Sequence, residues 1–244
     1  MDRKIRIGAV SYLNTKPLLY GFEKGLLDTE TSIITDYPAA LAEKLLHDDI
    51  DVGLIPAAIL PALKERHIIS EFCIAASKPV ASVCIFSEVP ITAVKEIYLD
   101  YQSRTSVALA KILVKQYWKI TPKYITAHEG YEQKFGHTTA ALIIGDRALN
   151  KLSSVPYVYD LAEAWQLMTG LPFVFAVWAA NKQLPSAFIH AFNETTGMGL
   201  KHIPEIIAAN PFEAYNLHTY FTQNIDYRMD EAKMQGLQLF LEML

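Results

Sequence analysis

Short apolar runs and amphipathic segments alternate along almost the whole chain, and this alternation limits its possible folds more than any other feature. The apolar runs have the length of buried strands, and the segments between them carry apolar residues at helical spacing. Such alternation is typical of α/β proteins and predicts largely parallel sheets. The predicted strands are 5–10, 51–55, 72–76, 82–86, 97–99, 123–126, 140–144, 157–159 and 173–178, and the clearest predicted helices are 16–23, 39–46, 57–64, 105–118 and 160–169.

The order of these units indicates two lobes. One group of strands and helices precedes residue 82, a second spans 83–177, and the rest of the chain is mainly helical. If the C-terminal part packs back on the first group, lobe 1 is residues 1–82 plus 178–244 and lobe 2 is residues 83–177. The chain then crosses twice between the lobes, which is the plan of periplasmic-binding-protein-like folds. Proteins of this plan close by hinge motion on a ligand held between the lobes.

Composition excludes several classes of function. The chain has 244 residues and a net charge of −4, without a basic run that would indicate a nucleic-acid partner. No apolar run has membrane-spanning length and no signal-peptide core precedes the first strand, so we expect a cytoplasmic protein without a membrane partner. Cys73 and Cys84 lack metal-site spacing, and no nucleotide-binding glycine motif is present, so neither a metal nor a cofactor is expected.

The segment Ser11–Pro17 (SYLNTKP) is the first polar cluster that could carry function. It follows a predicted strand and begins a helix, so Ser11, Asn14 and Thr15 lie where backbone N–H groups can bind a small anion. Pro17 suits the first helical turn. Asn14 or Thr15 could instead be a simple N-cap, and the segment alone does not separate these interpretations.

A second cluster, Ser103–Ser106, opens the strongest predicted helix. Ser103 or Thr105 can cap this helix, the free N–H groups can bind a carboxylate, and Arg104 can add a bidentate contact. The alternative is a plain cap with a solvated arginine. Because the two clusters belong to different lobes, together they favour a small dicarboxylate held in a hinged cleft.

Three further positions are less clear from the sequence. Gly145 ends a predicted strand and is a candidate substrate-binding residue, whereas Asp146 fits a structural role as a helix cap. Ser82 lies near the predicted crossing between the lobes. Its hydroxyl could satisfy a neighbouring backbone group or donate to a ligand in the cleft. The sequence does not indicate whether Arg104 or His128 faces that cleft.

Six segments together resemble the chorismate dehydratase family, whose members open the futalosine route to menaquinone. They occur in the family's order and extend over nearly the whole chain, although each alone is weak. The segments are GAVSYLNTKPL (Gly8–Leu18), DVGLIPAA (Asp51–Ala58), KPVASVCIFS (Lys78–Ser87), LDYQSRTSVAL (Leu99–Leu109), ALIIGDRAL (Ala141–Leu149) and YDLAEAWQLMTGLPFVFAVW (Tyr159–Trp178). The resemblance implies a type II periplasmic-binding-protein-like fold with the substrate between the lobes.

The resemblance also implies a reaction and roles for particular residues. A dehydratase of this family converts chorismate to 3-[(1-carboxyvinyl)oxy]benzoate, and aromatisation of the ring supplies the driving force. The resemblance assigns Asn14 and Ser82 to the reacting region, with Ser103, Thr105 and Ser106 as the carboxylate site. No side-chain base stands out in the sequence, so the substrate's own enolpyruvyl carboxylate is the expected proton acceptor.

Two alternatives are kept at this point. The same fold serves solute-binding proteins that deliver a small anion to a transporter, so fold does not decide between binding and catalysis. The sister family of dihydroxynaphthoate synthases shares the fold but usually opens with a motif rich in Cys-Pro-Asn-Asp. SYLNTKP stands in its place here and favours the dehydratase. The sequence does not give the oligomeric state.

Overall fold

Two β-sheets form the framework of the protein. The computed structural model describes residues 4–27 and 31–244. Its strands are β1 (Ile5–Val10), β2 (Thr31–Asp36), β3 (Val52–Pro56), β4 (His67–Ala76), β5 (Val83–Ser87), β6 (Glu96–Leu99), β7 (Lys123–Thr126), β8 (Thr139–Ile144), β9 (Tyr157–Asp160), β10 (Phe173–Ala180) and β11 (Asp226–Arg228). The first sheet has the order β11-β4-β10-β3-β1-β2, and the second has the order β7-β6-β8-β5-β9.

The helices cover these sheets and their edges. They are α1 (Lys16–Glu23), α2 (Pro38–Leu46), α3 (Arg104–Gln116), α4 (Asp146–Leu149), α5 (Leu161–Thr169), α6 (Ser186–Gly197), α7 (Ile203–Ala209), α8 (Leu217–Thr219) and α9 (Glu231–Glu242). The predicted helix at 57–64 is a 3₁₀ segment over Ala57–Ala62 that contains Pro61. Among the described residues, no helix combines the length and the apolar character needed to cross a membrane.

Both sheets are mixed, so the prediction of largely parallel sheets is wrong. β1 is parallel to β2 and β3, and β6 is parallel to β7 and β8. In contrast, β5 is antiparallel to β8 and β9, and β10 is antiparallel to β3 and β4. β5 and β10 are the first strands that the chain forms after it passes from one lobe to the other. Such a strand is not joined to its neighbour by a helical crossover, which is what a parallel pairing requires.

The two crossings are short and join neighbouring strands, because β4 is adjacent to β10 in the first sheet and β5 is adjacent to β9 in the second. The chain leaves the first sheet after Ala76 and enters the second at Val83, and it returns between Thr169 and Phe173. The second predicted boundary, at residue 178, is therefore placed too late, because all of β10 belongs to the first sheet. The C-terminal part packs back on the first lobe, where α6 lies against α1 and β4.

The helices α3 and α5 of lobe 2 have capped ends, and the cap of α3 is one of the two residues predicted for it. The Ser103 hydroxyl accepts the Ser106 N–H and caps α3. The Asp160 carboxylate accepts the N–H groups of Ala162 and Glu163 and caps α5. Gly170 ends α5 in the left-handed conformation with φ of +75°.

Asp160 also stabilises the first crossing by a hydrogen bond. Its second carboxylate oxygen accepts the Ala81 N–H at 2.7 Å, and Ala81 has a φ of +62°, which is uncommon for a residue with a Cβ. Burial raises the pKa of Asp160 to about 6, although its backbone N–H donors act in the opposite direction. The neighbouring Cys84 stays neutral at these pH values because burial raises its pKa further.

This raised pKa gives a pH dependence of stability with a defined sign. The folded protein binds the Asp160 proton more tightly than the unfolded chain does, so the free energy of unfolding falls as pH rises from about 4 to about 6. The contribution is about 3 kcal/mol across that interval. In denaturant unfolding between pH 4 and pH 7, the free energy of unfolding of the wild type should fall by this amount relative to that of Asp160→Asn. Parallel pH profiles for the two proteins would contradict the assignment.

Candidate active site

A cavity lies between the two sheets, beside the first crossing. Its walls come from the ends of strands in both lobes, the Ser11–Pro17 segment, the start of α3 and the Val80–Val83 stretch. The lining residues are Val10, Tyr12, Asn14, Thr15, Pro38, Pro56, Ile74, Val80, Ser82, Val83, Ser103, Ser106, Ile144, Gly145, Phe175 and Ala176. The cavity has a volume of about 50 Å³, which is room for a few water molecules.

On the wall of lobe 1, Asn14 follows β1 in a single 3₁₀ turn, Leu13–Thr15. Thr15 occupies the N-cap position of α1, and no side chain caps that helix. The interpretation of Asn14 as a simple N-cap is therefore wrong. Its side-chain oxygen accepts the Thr15 hydroxyl at 3.2 Å, and its backbone carbonyl accepts the Tyr227 hydroxyl at 2.9 Å. The side-chain NH₂ of Asn14 thus remains a donor at the cavity.

Ser82 lies at the end of the first crossing and is 1% exposed. Its hydroxyl has no hydrogen-bond partner among the described residues. A buried hydroxyl without a partner costs free energy, and folded proteins keep few such groups. The proposal that this serine only satisfies a neighbouring backbone group is therefore wrong, and its hydroxyl is available to a molecule in the cavity.

On the wall of lobe 2, Ser103 and Ser106 lie at the start of α3. The Ser103 hydroxyl donates to the Ser106 hydroxyl at 2.9 Å and accepts the Ser106 N–H at 3.1 Å. The Ser106 hydroxyl proton is then free to donate. Gly145, at the end of β8, donates its N–H to the Ser82 carbonyl at 2.8 Å. These contacts place donors from both lobes around one cavity.

Among residues 4–27 and 31–244, five polar contacts join the lobes around this cavity, and we call them the closing contacts. They are Leu13 N–H to the Asp146 carboxylate (3.1 Å), Ala39 N–H to the Gln102 carbonyl (3.1 Å), Ala58 N–H to Thr105 Oγ1 (3.1 Å), the Tyr12 hydroxyl to Gln102 Oε1, and Arg104 to Glu43. The structure is therefore a closed form of the two lobes.

Three predicted site residues are not in the cavity lining. Ser11 is exposed, and its N–H pairs with the Asp36 carbonyl at the end of β2. Arg104 and Thr105 bind lobe 1 through closing contacts instead of facing inward. The remaining predicted residues all line the cavity: Asn14, Thr15, Ser82, Ser103, Ser106 and Gly145. The side chain of His128 is exposed and outside this lining.

The ion pair with Glu43 leads to a prediction for Arg104. Both side chains are about half exposed, and such pairs contribute less than about 1 kcal/mol. Arg104→Ala should therefore raise the KM for the substrate by less than about fivefold and leave kcat unchanged. Steady-state kinetics of Arg104→Ala and Glu43→Ala should give the same small effect. A much larger loss in Arg104→Ala alone would show that this arginine binds the substrate directly.

Sequence reasoning missed Tyr12 and the role of Asp146. The Tyr12 ring lines the cavity and packs on Gly145, where an added Cβ would lie 3.1 Å from the ring. Asp146 is the first residue of α4 rather than its cap, and its carboxylate accepts an N–H from the other lobe. Neither contact has a local sequence signal, because both depend on how the lobes meet.

The cavity is uncharged. None of its lining residues in the described part of the chain has a charged side chain. The Tyr12 hydroxyl stays protonated, because burial and the nearby Asp100 raise its pKa. A cluster of charge lies beside Tyr12 and Gln102, where Arg147 pairs with Asp100 at 2.7 Å and with Glu132. An anion in the cavity would therefore be held by neutral donors.

Comparison with known sequences gives the family. The family described as menaquinone biosynthesis matches residues 5–244. A chorismate dehydratase of Thermus thermophilus is 28% identical over 98% of this chain and 94% of its own length. A chorismate dehydratase of Campylobacter jejuni is 31% identical over 92% of this chain and 87% of its own length. The chain belongs to the menaquinone biosynthesis family. Because both of these relatives are chorismate dehydratases, we conclude that this family member is an enzyme that acts on a small molecule.

Solved structures share the architecture of this menaquinone biosynthesis family member. A protein of Archaeoglobus fulgidus superposes with a TM-score of 0.78 at 16% identity, over 98% of this chain and 96% of that chain. The periplasmic aliphatic sulphonate binding protein of Escherichia coli gives a TM-score of 0.60 at 17% identity, over 99% and 88%. At these identities the likeness concerns the fold, and the predicted periplasmic-binding-protein-like fold is confirmed.

Proposed function

We propose that this protein removes water from chorismate and forms 3-[(1-carboxyvinyl)oxy]benzoate. The hydroxyl at ring C4 and the proton at C3 leave together as water, the ring becomes aromatic, and the enolpyruvyl ether is kept. The family and the dehydratase names of its relatives support this reaction. The observation that carries it at the site is the unpaired, buried Ser82 hydroxyl, which lines the same uncharged cavity as the Asn14 side chain.

Asn14 and Ser82 would orient the reacting part of the ring. The Asn14 NH₂ donates to the departing hydroxyl or to a substrate carboxylate, and the Ser82 hydroxyl supplies a second hydrogen bond. Donors fixed before the reaction stabilise developing charge at little reorganisation cost. Holding the substrate in a reactive conformer adds several kcal/mol to the rate enhancement. These contributions suit a reaction that aromatisation already favours.

The proton acceptor is the enolpyruvyl carboxylate of the substrate itself. The cavity lining in the described residues has no carboxylate, imidazole or amine side chain that could serve as a base. The Ser106 hydroxyl would bind a carboxylate, helped by the N–H groups of Arg104 and Thr105 in the first turn of α3, which have no partner within the helix. Ser103 would orient Ser106, and Thr15 the Asn14 side chain, because their own hydroxyl protons are already donated to these neighbours. Because these donors are neutral, the bound carboxylate keeps its own basicity better than it would beside a lysine or an arginine.

The test is incubation of the purified protein with chorismate, followed by absorbance and mass spectrometry of the product. We expect an aromatic product 18 mass units below chorismate, formed without added metal or cofactor. Cyclic dehypoxanthine futalosine, the substrate of the sister synthases, should remain unchanged in a parallel incubation. Binding of chorismate without turnover would instead identify a solute-binding protein.

A further inference from the structure

We propose that Tyr220 is a positioning residue that orients the Asn14 and Ser82 side chains from behind the cavity. Tyr220 is fully buried, and its hydroxyl has no hydrogen-bond partner among the described residues. It does not belong to the cavity lining. The inference rests on the proposed function, because its effect is exerted through the two residues assigned to the reacting region.

The location of Tyr220 supports this role. It begins a π-helical turn, Tyr220–Asn224, directly after α8, and such turns are frequent at functional sites. The turn is tied to the first crossing, because the Asn224 side chain donates to the Pro79 carbonyl at 2.8 Å. Ser82 lies three residues further along this crossing. The π-helical turn thus fixes the Tyr220 ring against the segment that presents Ser82.

Two buried hydroxyls without partners occur at one place. The Ser82 and Asn14 side chains lie within interaction range of the Tyr220 hydroxyl, and both favour its ionised form, but burial outweighs them and raises the pKa of Tyr220. Tyr220 therefore stays protonated and acts as a neutral donor and acceptor. Because a group that favours the ionised form is a hydrogen-bond donor, the Tyr220 oxygen can accept one Asn14 N–H, or the Ser82 hydroxyl proton when no ligand accepts it. The second Asn14 N–H is then left for the cavity, where a ligand that accepts from Ser82 completes the arrangement.

The ring of Tyr220 is held independently of its hydroxyl. It packs against Tyr215 at 6.1 Å and Phe221 at 5.6 Å between ring centroids. Tyr220→Phe therefore keeps the packing and removes only the hydroxyl. Because that hydroxyl has no partner in the closed protein, its removal should not lower the free energy of unfolding. Loss of stability and loss of orientation are thus separable at this position.

Tyr215→Phe is the matched control. The Tyr215 hydroxyl donates to the Asn224 side-chain oxygen at 3.1 Å and lies outside the cavity lining. We expect Tyr220→Phe to lower kcat for chorismate about tenfold or more, with KM within threefold of wild type and an unchanged melting temperature. Tyr215→Phe should show the opposite pattern, a lower melting temperature with unchanged kcat.

A double-mutant comparison decides whether Tyr220 acts through its two neighbours. In a Ser82→Ala, Asn14→Ala background, adding Tyr220→Phe should change the residual kcat less than twofold. A tenfold loss in that background, or a wild-type kcat in the single variant, would overturn the inference while leaving the proposed function intact. A wild-type protein that does not dehydrate chorismate would overturn both.

Discussion

Replacing Asn14 with alanine should lower kcat for chorismate about 100-fold or more, because one fixed donor at the reacting region is lost. The Asn14 NH₂ is a free donor at the cavity, and the side chain caps no helix, so folding should be little affected. Asn14→Asp keeps the shape but places a carboxylate beside a doubly acidic substrate. Its main effect should be a KM raised more than tenfold. Stopped-flow absorbance at the aromatic product band measures both constants.

The control for Asn14 is Gln183→Ala, which removes an exposed amide outside the cavity lining. It should leave kcat and KM at their wild-type values. If Asn14→Ala binds chorismate and turns it over at the normal rate, then Asn14 has no role in the chemistry. A lowered melting temperature that accounts for all the lost activity would lead to the same conclusion.

Replacing Gly145 with alanine should raise the KM for chorismate about tenfold or more. Gly145 has φ of +64° and ψ of −148°, a conformation that costs other residues of the order of 1–3 kcal/mol. In addition, the new methyl group would lie 3.1 Å from the Tyr12 ring. Relief requires Tyr12 to move, which weakens two closing contacts, those of Tyr12 and Leu13 with lobe 2. A KM change of tenfold corresponds to about 1.4 kcal/mol.

Gly170→Ala separates backbone strain from lobe contact in that experiment. Gly170 also has a positive φ, +75°, but an added Cβ there meets nothing within 4 Å. It should lower the melting temperature and leave KM unchanged. Equal KM values for Gly145→Ala and wild type would show that the Tyr12–Gly145 contact does not control closure.

Local signals in the sequence predicted the parts of the fold that depend on short stretches of chain. α1 begins and ends where its apolar spacing and Pro17 indicate, and α5 lies within its predicted range of 160–169. β2 and β11 were not predicted. β2 is an edge strand with little buried surface, and β11 has only three residues, so neither shows the apolar pattern of a central strand.

The residues of the candidate site likewise divide into those with a local sequence signal and those without one. Residues at the ends of strands and the starts of helices, such as Asn14 and Ser103, were found because their position in a local motif predicts free donors. Arg104 was placed wrongly because an arginine beside a cap can reach a ligand or a partner lobe, and only the three-dimensional position of Glu43 decides. Tyr220 has no local motif, since its π-helical turn is determined by contacts with distant parts of the chain.

The closing contacts around the cavity have a consequence for the rate of turnover. A ring held between the two walls is enclosed by hydrogen bonds that join the lobes, so the lobes must separate once for substrate to enter and once for product to leave. Each separation breaks hydrogen bonds on the rim, and each return expels solvent. The rate at which the lobes open and close therefore sets an upper limit on kcat, and faster chemistry at the ring could not exceed it.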